Sequence, residues 1–236
     1  SKDEFNNVLE NAKNFYKVLY SFLSTEKRLS ITKPIKFNYD VDKICLNILK
    51  KLDEHEESIR KLNDILTLAF DRSIDVYEHY DDIIVKEYKI GDSRVIDDAI
   101  NSTGREEQRK LQDLESLHYQ GDGIRSAVAI LASLIVNEHS LFLIDEPETF
   151  LHPPQAKLIG KNIVQLSENK QCFIATHNID FIKGVVEASS NRVKIIKIDR
   201  IGNQNTFKLI NNSSIFDIAN DKNLKYTNIL DGLFYN

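Results

Sequence analysis

Two adjacent acids, Asp145 and Glu146, stand directly after a short, wholly apolar run at 141–144. An apolar run of that length reads as a buried strand, which carries both carboxylates to its carboxyl end. Phosphoryl transfer to water needs a metal to neutralise the phosphate oxygens and a group to orient the attacking water. Asp145 suits Mg²⁺, directly or through a metal-bound water, and Glu146 suits polarisation of the nucleophile. A second short apolar run, Gln171–Ala175, precedes His177, which suits contact with a terminal phosphate. The third group is Gln120-Gly121-Asp122-Gly123, which opens straight into the apolar helix 124–136. A helix N-terminus presents free N–H groups and is a ready anion site. Each group also has a plainer reading: a polar loop after a strand, a helix cap at Asp122, an ordinary surface histidine.

Topology brings these groups together. Strand 141–145, a helix started by Pro153-Pro154 and strand 171–176 make a βαβ unit, whose strands run parallel in nearly all cases. Asp145, Glu146 and His177 then share one carboxyl edge, where ligands of open α/β sheets bind. The helix has Ala156, Ile159, Ile163 and Leu166 as its inner face. Upstream, residues 5–15 have helical spacing, and 16–23 read equally as more helix or as a strand. Lys33-Pro34 is a break, and 41–70 forms an insertion of two amphipathic helices. Strands 73–80 and 83–90 turn at Asp81-Asp82. Residues 92–119 are polar and read as loop and solvated helix. After a further strand at 192–198, paired with 206–210 across Gly202-Asn203, an amphipathic helix occupies 224–234.

The chain has 236 residues, 42% hydrophobic and 28% charged, with a net charge of −5. That suits one soluble α/β domain and excludes a general basic coat for nucleic acid. The longest apolar run, 126–136, is about half of a membrane span, and no signal-peptide pattern opens the chain. The reading is cytoplasmic. Cys45 and Cys172 sit in apolar patterns without metal or disulfide spacing, as core thiols do. No methionine is present, which points to a fragment or a processed product.

In this order and spacing the groups resemble an ABC-type ATPase domain, most of all the bacterial branch with the OLD-family (overcoming lysogenization defect) nucleases and related antiphage ATPases. LFLIDEPETFLHP (141–153) is similar to a Walker B strand followed by a D-loop at 149–152. FIATHN (173–178) resembles the switch-histidine strand, and YQGDGIRS (119–126) the signature loop, in a Gly-Asp-Gly form. The likeness covers 117–200 strongly and earlier residues faintly, with Ser24-Thr25-Glu26-Lys27-Arg28 suggestive of an earlier strand end. It implies an α/β fold with a mostly parallel sheet flanked by helices, over a single partial domain, 1–236. It implies ATP and Mg²⁺ as cofactors, with Thr149 and His152 joining Gln120, Gly121, Asp122 and Gly123 as nucleotide contacts. It also implies a head-to-tail homodimer in which the signature loop faces the nucleotide of the other chain.

NLKYTNILDGLFYN (223–236) resembles a helix leading into a TOPRIM nuclease domain, and reads equally as an ordinary terminal helix. The implied function is an ATPase regulating a nuclease in antiphage defence, with a TOPRIM domain or subunit as partner, DNA or RNA as a further ligand, and no membrane. Alternatives are a RecF- or SMC-like repair ATPase and an ATP-dependent scaffold with little turnover. The sequence departs from the pattern in having no G-x-x-x-x-G-K-[ST] loop. Gly160-Lys161 falls mid-helix, with Asn162 after it and Gln155 where the first glycine belongs. The expectation is that this loop lies in an N-terminal lobe outside these residues; its supply by a separate chain, or a degenerate relic that does not hydrolyse ATP, are the alternatives.

Overall fold

The apolar run before Asp145 forms β6, Leu141–Asp145, the middle of three parallel strands. The structure is a computed structural model and describes residues 20–37, 48–53, 55–80, 84–102, 104–136, 139–189, 191–202 and 204–210. β1, Tyr20–Leu23, pairs with one side of β6, and β7, Gln171–Ala175, with the other. The ambiguous 16–23 run is therefore a strand from Tyr20 onward, because a parallel neighbour takes up its backbone groups. Phe22, Leu143 and Phe173 share one rung, and Asp145 lies opposite Ala175. The expected α/β class, with a parallel sheet flanked by helices, holds for this sheet.

Side chains alternate across β6. Phe142 and Ile144 are buried, while Leu141 and Leu143 on the other face are partly exposed. Phe22 and Phe173 are about half exposed. The expectation that β7 is a buried strand is corrected accordingly: it is the edge of the described sheet and has only β6 beside it.

The helix after the Gly-Asp-Gly motif is α6, Asp122–Val136, and it is buried continuously from Ser126 to Leu134. Three helices pack on it: α1, Thr25–Ile31; α2, Ile48–Asp53; and α3, Glu56–Phe70. The described part of the expected insertion, residues 48–53 and 55–70, thus contributes to the core, with Leu52, Leu62 and Leu66 fully buried. It is fastened by Asn63, whose Nδ2 donates to Ile74 O and whose Oδ1 accepts from Ile74 N, both at 2.8 Å.

Ile74 belongs to β3, Ser73–Tyr80, antiparallel to β4, Ile84–Gly91, as the alternation predicts. β2, Ile35–Phe37, and the short β5, Glu115–Ser116, complete this second sheet by pairing with β4. The polar segment 92–119 departs from the plain-surface expectation. It forms α4, Ser93–Ile100, and α5, Arg105–Gln112, which bury Ile96, Ala99 and Leu111 against Tyr77. A few apolar residues on two short helices suffice for that, and their mean polarity hides the stripe.

A second compact unit comprises residues 152–165 and 177 onward. It holds nearly all of α7, Pro153–Leu166, then α8, Ile179–Ala188, and the hairpin of β8, Ile196–Ile201, with β9, Gln204–Leu209. Two glycines let α7 and α8 approach backbone to backbone. A Cβ on Gly160 stands 2.5 Å from Phe181 O, and one on Gly184 collides with Lys157 O. Gly160 is therefore a packing glycine. Residues 5–15, Cys45, the Asp81-Asp82 turn and 223–236 lie outside the described residues. No helix among the described residues is long and apolar enough to cross a membrane.

Candidate functional site

Asp145 and Glu146 are both exposed at the carboxyl end of β6, directly beyond the buried Ile144. Glu146 has φ 43°, in the left-handed region. For a side chain of this kind that conformation costs about 1–3 kcal/mol and persists only where surroundings impose it. Its N–H donates to Ala175 O at 2.8 Å. Its carbonyl accepts from Thr149 N at 3.1 Å, Thr149 Oγ1 at 2.8 Å and Arg28 Nη2 at 3.1 Å. The left-handed turn is thus held from both ends. Thr149, expected to contact nucleotide, uses its hydroxyl for this internal bond. Behind the turn Glu148 is buried and accepts from Thr176 Oγ1 at 2.7 Å.

Arg28 is the residue that the sequence reading did not single out. It is fully buried on α1, where Ser24 caps the helix and accepts from Lys27 N. Its Nη1 donates to Leu23 O at 2.8 Å and Asp145 O at 2.5 Å, and its Nη2 also reaches Thr25 Oγ1 at 3.1 Å. One guanidinium therefore ties the end of β1 to the end of β6. Burial pulls its pKa below the ordinary arginine value, while the charges of Asp145, Glu148 and Glu146 push it back up.

Asp145, Glu148 and Glu146 all lie near enough to Arg28 for their charges to act on it, and carboxylates are the ligands that a hard divalent cation takes. Among the described residues no group of three or more candidate ligands forms a cage. Mg²⁺ commonly takes only one or two protein carboxylates and completes its octahedron with phosphate oxygens and water. Asp145 fits such a shared ion.

The signature-like loop lies in the same compact unit. Gly121 is exposed, with nothing within 4 Å of a Cβ added there. Asp122 accepts from Arg125 Nη1 at 2.9 Å, and Gln120 Nε2 donates to Glu115 Oε2 at 2.6 Å. Arg125 also reaches Thr32 Oγ1 at 3.1 Å and Leu29 O at 2.9 Å, joining α6 to α1. Gly123 departs from the expectation that its small size serves close approach to a phosphate. A Cβ on it lies 2.5 Å from the carbonyl oxygen of Phe150, itself at φ 68°. Its smallness serves the chain's own packing against the loop after the acids.

His152 and His177 belong to the second unit. His152 is exposed at the start of α7, where its N–H donates to Gln155 Oε1 and its carbonyl accepts from Ala156 N. His177 is exposed two residues after β7, and the next residue, Asn178, caps α8 by accepting from Phe181 N at 3.0 Å. The structure thus gathers Asp145, Glu146 and Thr149 with Arg28, Glu148 and Thr176, and sets Gly123 against the loop that follows them.

No curated protein sequence matches the chain. Among solved structures, it is similar at 13% identity and a TM-score of 0.48 to a chain from work on ATP-driven dimerization and DNA stimulated activation of SMC ATPases, covering 73% of this chain and 94% of that one. It is similar at 13% identity and a TM-score of 0.48 to the Smc head domain with a coiled coil and joint from Pyrococcus yayanosii, covering 70% and 28%. A third likeness, at 15% identity and a TM-score of 0.40, is to a chain of the complex of archaeal ribosomal stalk protein aP1 and ribosome recycling factor aABCE1, covering 87% and 29%. A family model described as "AAA domain, putative AbiEii toxin, Type IV TA system" matches residues 13–182, a span that takes in β1, α1, the signature-like loop, both acids and His177. The chain belongs to this AAA-domain family of P-loop ATPases.

Proposed function

We propose that this chain is the catalytic part of an ABC-type ATPase head that hydrolyses ATP in a head-to-tail dimer. The observation that carries the reading is the end of β6: two exposed acids in sequence, the second held in a left-handed conformation by bonds to both of its backbone groups. Asp145 is the Mg²⁺ residue and Glu146 orients the attacking water. Mg²⁺, when bound with ATP, supplies charge neutralisation on the phosphate oxygens. His177 contacts the terminal phosphate, and His152 and Thr149 border the nucleotide. Gln120, Gly121 and Asp122 face the nucleotide of the partner copy, with Gly121 as the open point of approach.

The test is Glu146→Gln in the complete protein. A positioned general base contributes about 10²–10⁴-fold, so ATP binding is retained while single-turnover hydrolysis falls within that range. Hydrolysis within about twofold of wild type removes Glu146 from the mechanism. Asp145→Asn instead weakens nucleotide binding only when Mg²⁺ is present, read by titration with and without the ion.

The output we propose is control of a TOPRIM-type nuclease acting on DNA or RNA in cytoplasmic antiphage defence, supported by the resemblance of 141–153 and 223–236 to the OLD branch. The family's description favours a second output, a toxin of a Type IV TA system. Metal-dependent cleavage of nucleic acid by the complete protein supports the first. Growth arrest on expression without any cleavage supports the second.

A further inference from the structure

The geometry points to Arg28 as the positioning residue of the hydrolytic centre: its buried guanidinium holds the Asp145-Glu146 backbone in the left-handed turn that aims the Glu146 carboxylate. This rests on the reading of Glu146 as the water-orienting acid.

Four observations converge on it. Arg28 is fully buried, although a guanidinium loses strongly favourable hydration when buried and is normally kept there only by a specific arrangement of partners. Its fork addresses two consecutive carbonyls, Asp145 O and Glu146 O, on either side of the left-handed Glu146. The same fork holds Leu23 O and Thr25 Oγ1, so the turn is referenced to the end of β1 rather than to a loose loop. Finally, α1 is itself anchored to α6 by Arg125, through Leu29 O and Thr32 Oγ1. Arg28 touches no reacting atom in this arrangement. Its side chain acts on main-chain oxygens, and the planar, multiply donating fork does what a single ammonium does poorly.

An aiming role differs from a purely structural one in what it changes. Misplacement of a reacting group by about 1 Å costs on the order of 10²-fold in rate. Loss of Arg28 should therefore lower kcat and leave the KM for ATP nearly unchanged. Arg28→Met keeps the length and removes the donors, and Arg28→Lys keeps the charge with a shorter, single-headed group. Both are made in the complete protein beside Glu146→Gln. The readouts are kcat and KM for ATP, fluorescent-ATP affinity, and hydrogen exchange of the Glu146 amide, which needs no nucleotide.

We expect Arg28→Met to lose about 10²-fold in kcat, with KM within about threefold, and to speed exchange at the Glu146 amide. Arg28→Lys should fall between Arg28→Met and wild type. If Arg28→Met fails to fold, the lysine variant carries the test by the same readouts. Wild-type kcat in the folded variant while Glu146→Gln is inactive overturns the positioning role. Unchanged exchange at Glu146 overturns it too, whatever the activity. If Glu146→Gln hydrolyses normally, the reading of the acid fails, and faster exchange in Arg28→Met still identifies the clamp on the turn.

Discussion

Gly121 and Gly123 are two residues apart and have opposite surroundings. Gly121 is open, whereas a Cβ at Gly123 stands 2.5 Å from the Phe150 carbonyl oxygen. Overpacking of this kind costs about 1–3 kcal/mol, so Gly123→Ala should lower the unfolding free energy by that amount and with it the urea midpoint, while Gly121→Ala leaves both unchanged. Equal midpoints for the two variants contradict the contact. Cys172 offers a second residue-scale test. Burial raises its thiol pKa above the ordinary 9.0, opposed by the hydrogen bond with Ser167 and by Lys170. A raised pKa means less thiolate at any given pH, so alkylation should be slower than for a free thiol at pH 8 and should go on rising with pH above that ordinary value, where a free thiol levels off. Asp145 and Glu146 were legible in the sequence because an apolar strand fixes where the following charges emerge. Arg28 was not, since an arginine in the polar run 24–28 reads as solvated until the carbonyls that surround it are in place.

Several elements were readable from periodicity alone: α6 from an apolar sequence on every side, β3 and β4 from alternation, α7 from its paired prolines. What stayed hidden was pairing across distance. The choice between helix and strand at 16–23 depends on β6, more than a hundred residues away in sequence, whose edge receives β1. The stripe on α4 and α5 has meaning only once Tyr77 stands beneath it. The link between α3 and β3 is likewise invisible in composition, because one amide side chain, Asn63, supplies it. Asn63→Leu keeps the volume and strands the Ile74 N–H and carbonyl. Leaving a buried polar group unsatisfied costs about 1–3 kcal/mol, so thermal unfolding should show a loss of at least that size. A variant as stable as wild type shows that the amide does not fasten the insertion.

At the scale of the whole molecule, the proposed head-to-tail reading makes the site incomplete in one copy. The acids of β6 serve one nucleotide, and the loop at Gly121 serves the nucleotide held by the other copy. Gly121→Arg is the suitable block, because an added Cβ there meets nothing within the chain, and it should fold normally yet abolish hydrolysis. The decisive measurement mixes Gly121→Arg with Glu146→Gln in complete protein and assays verified heterodimers. Head-to-tail assembly puts both defects in one composite site and leaves the other intact, so activity returns although each variant alone is inactive. A heterodimer of wild type with Glu146→Gln serves as the control that a single intact site can fire. If that control hydrolyses ATP and the heterodimer of the two variants remains silent, each copy completes its own site and the head-to-tail account is contradicted.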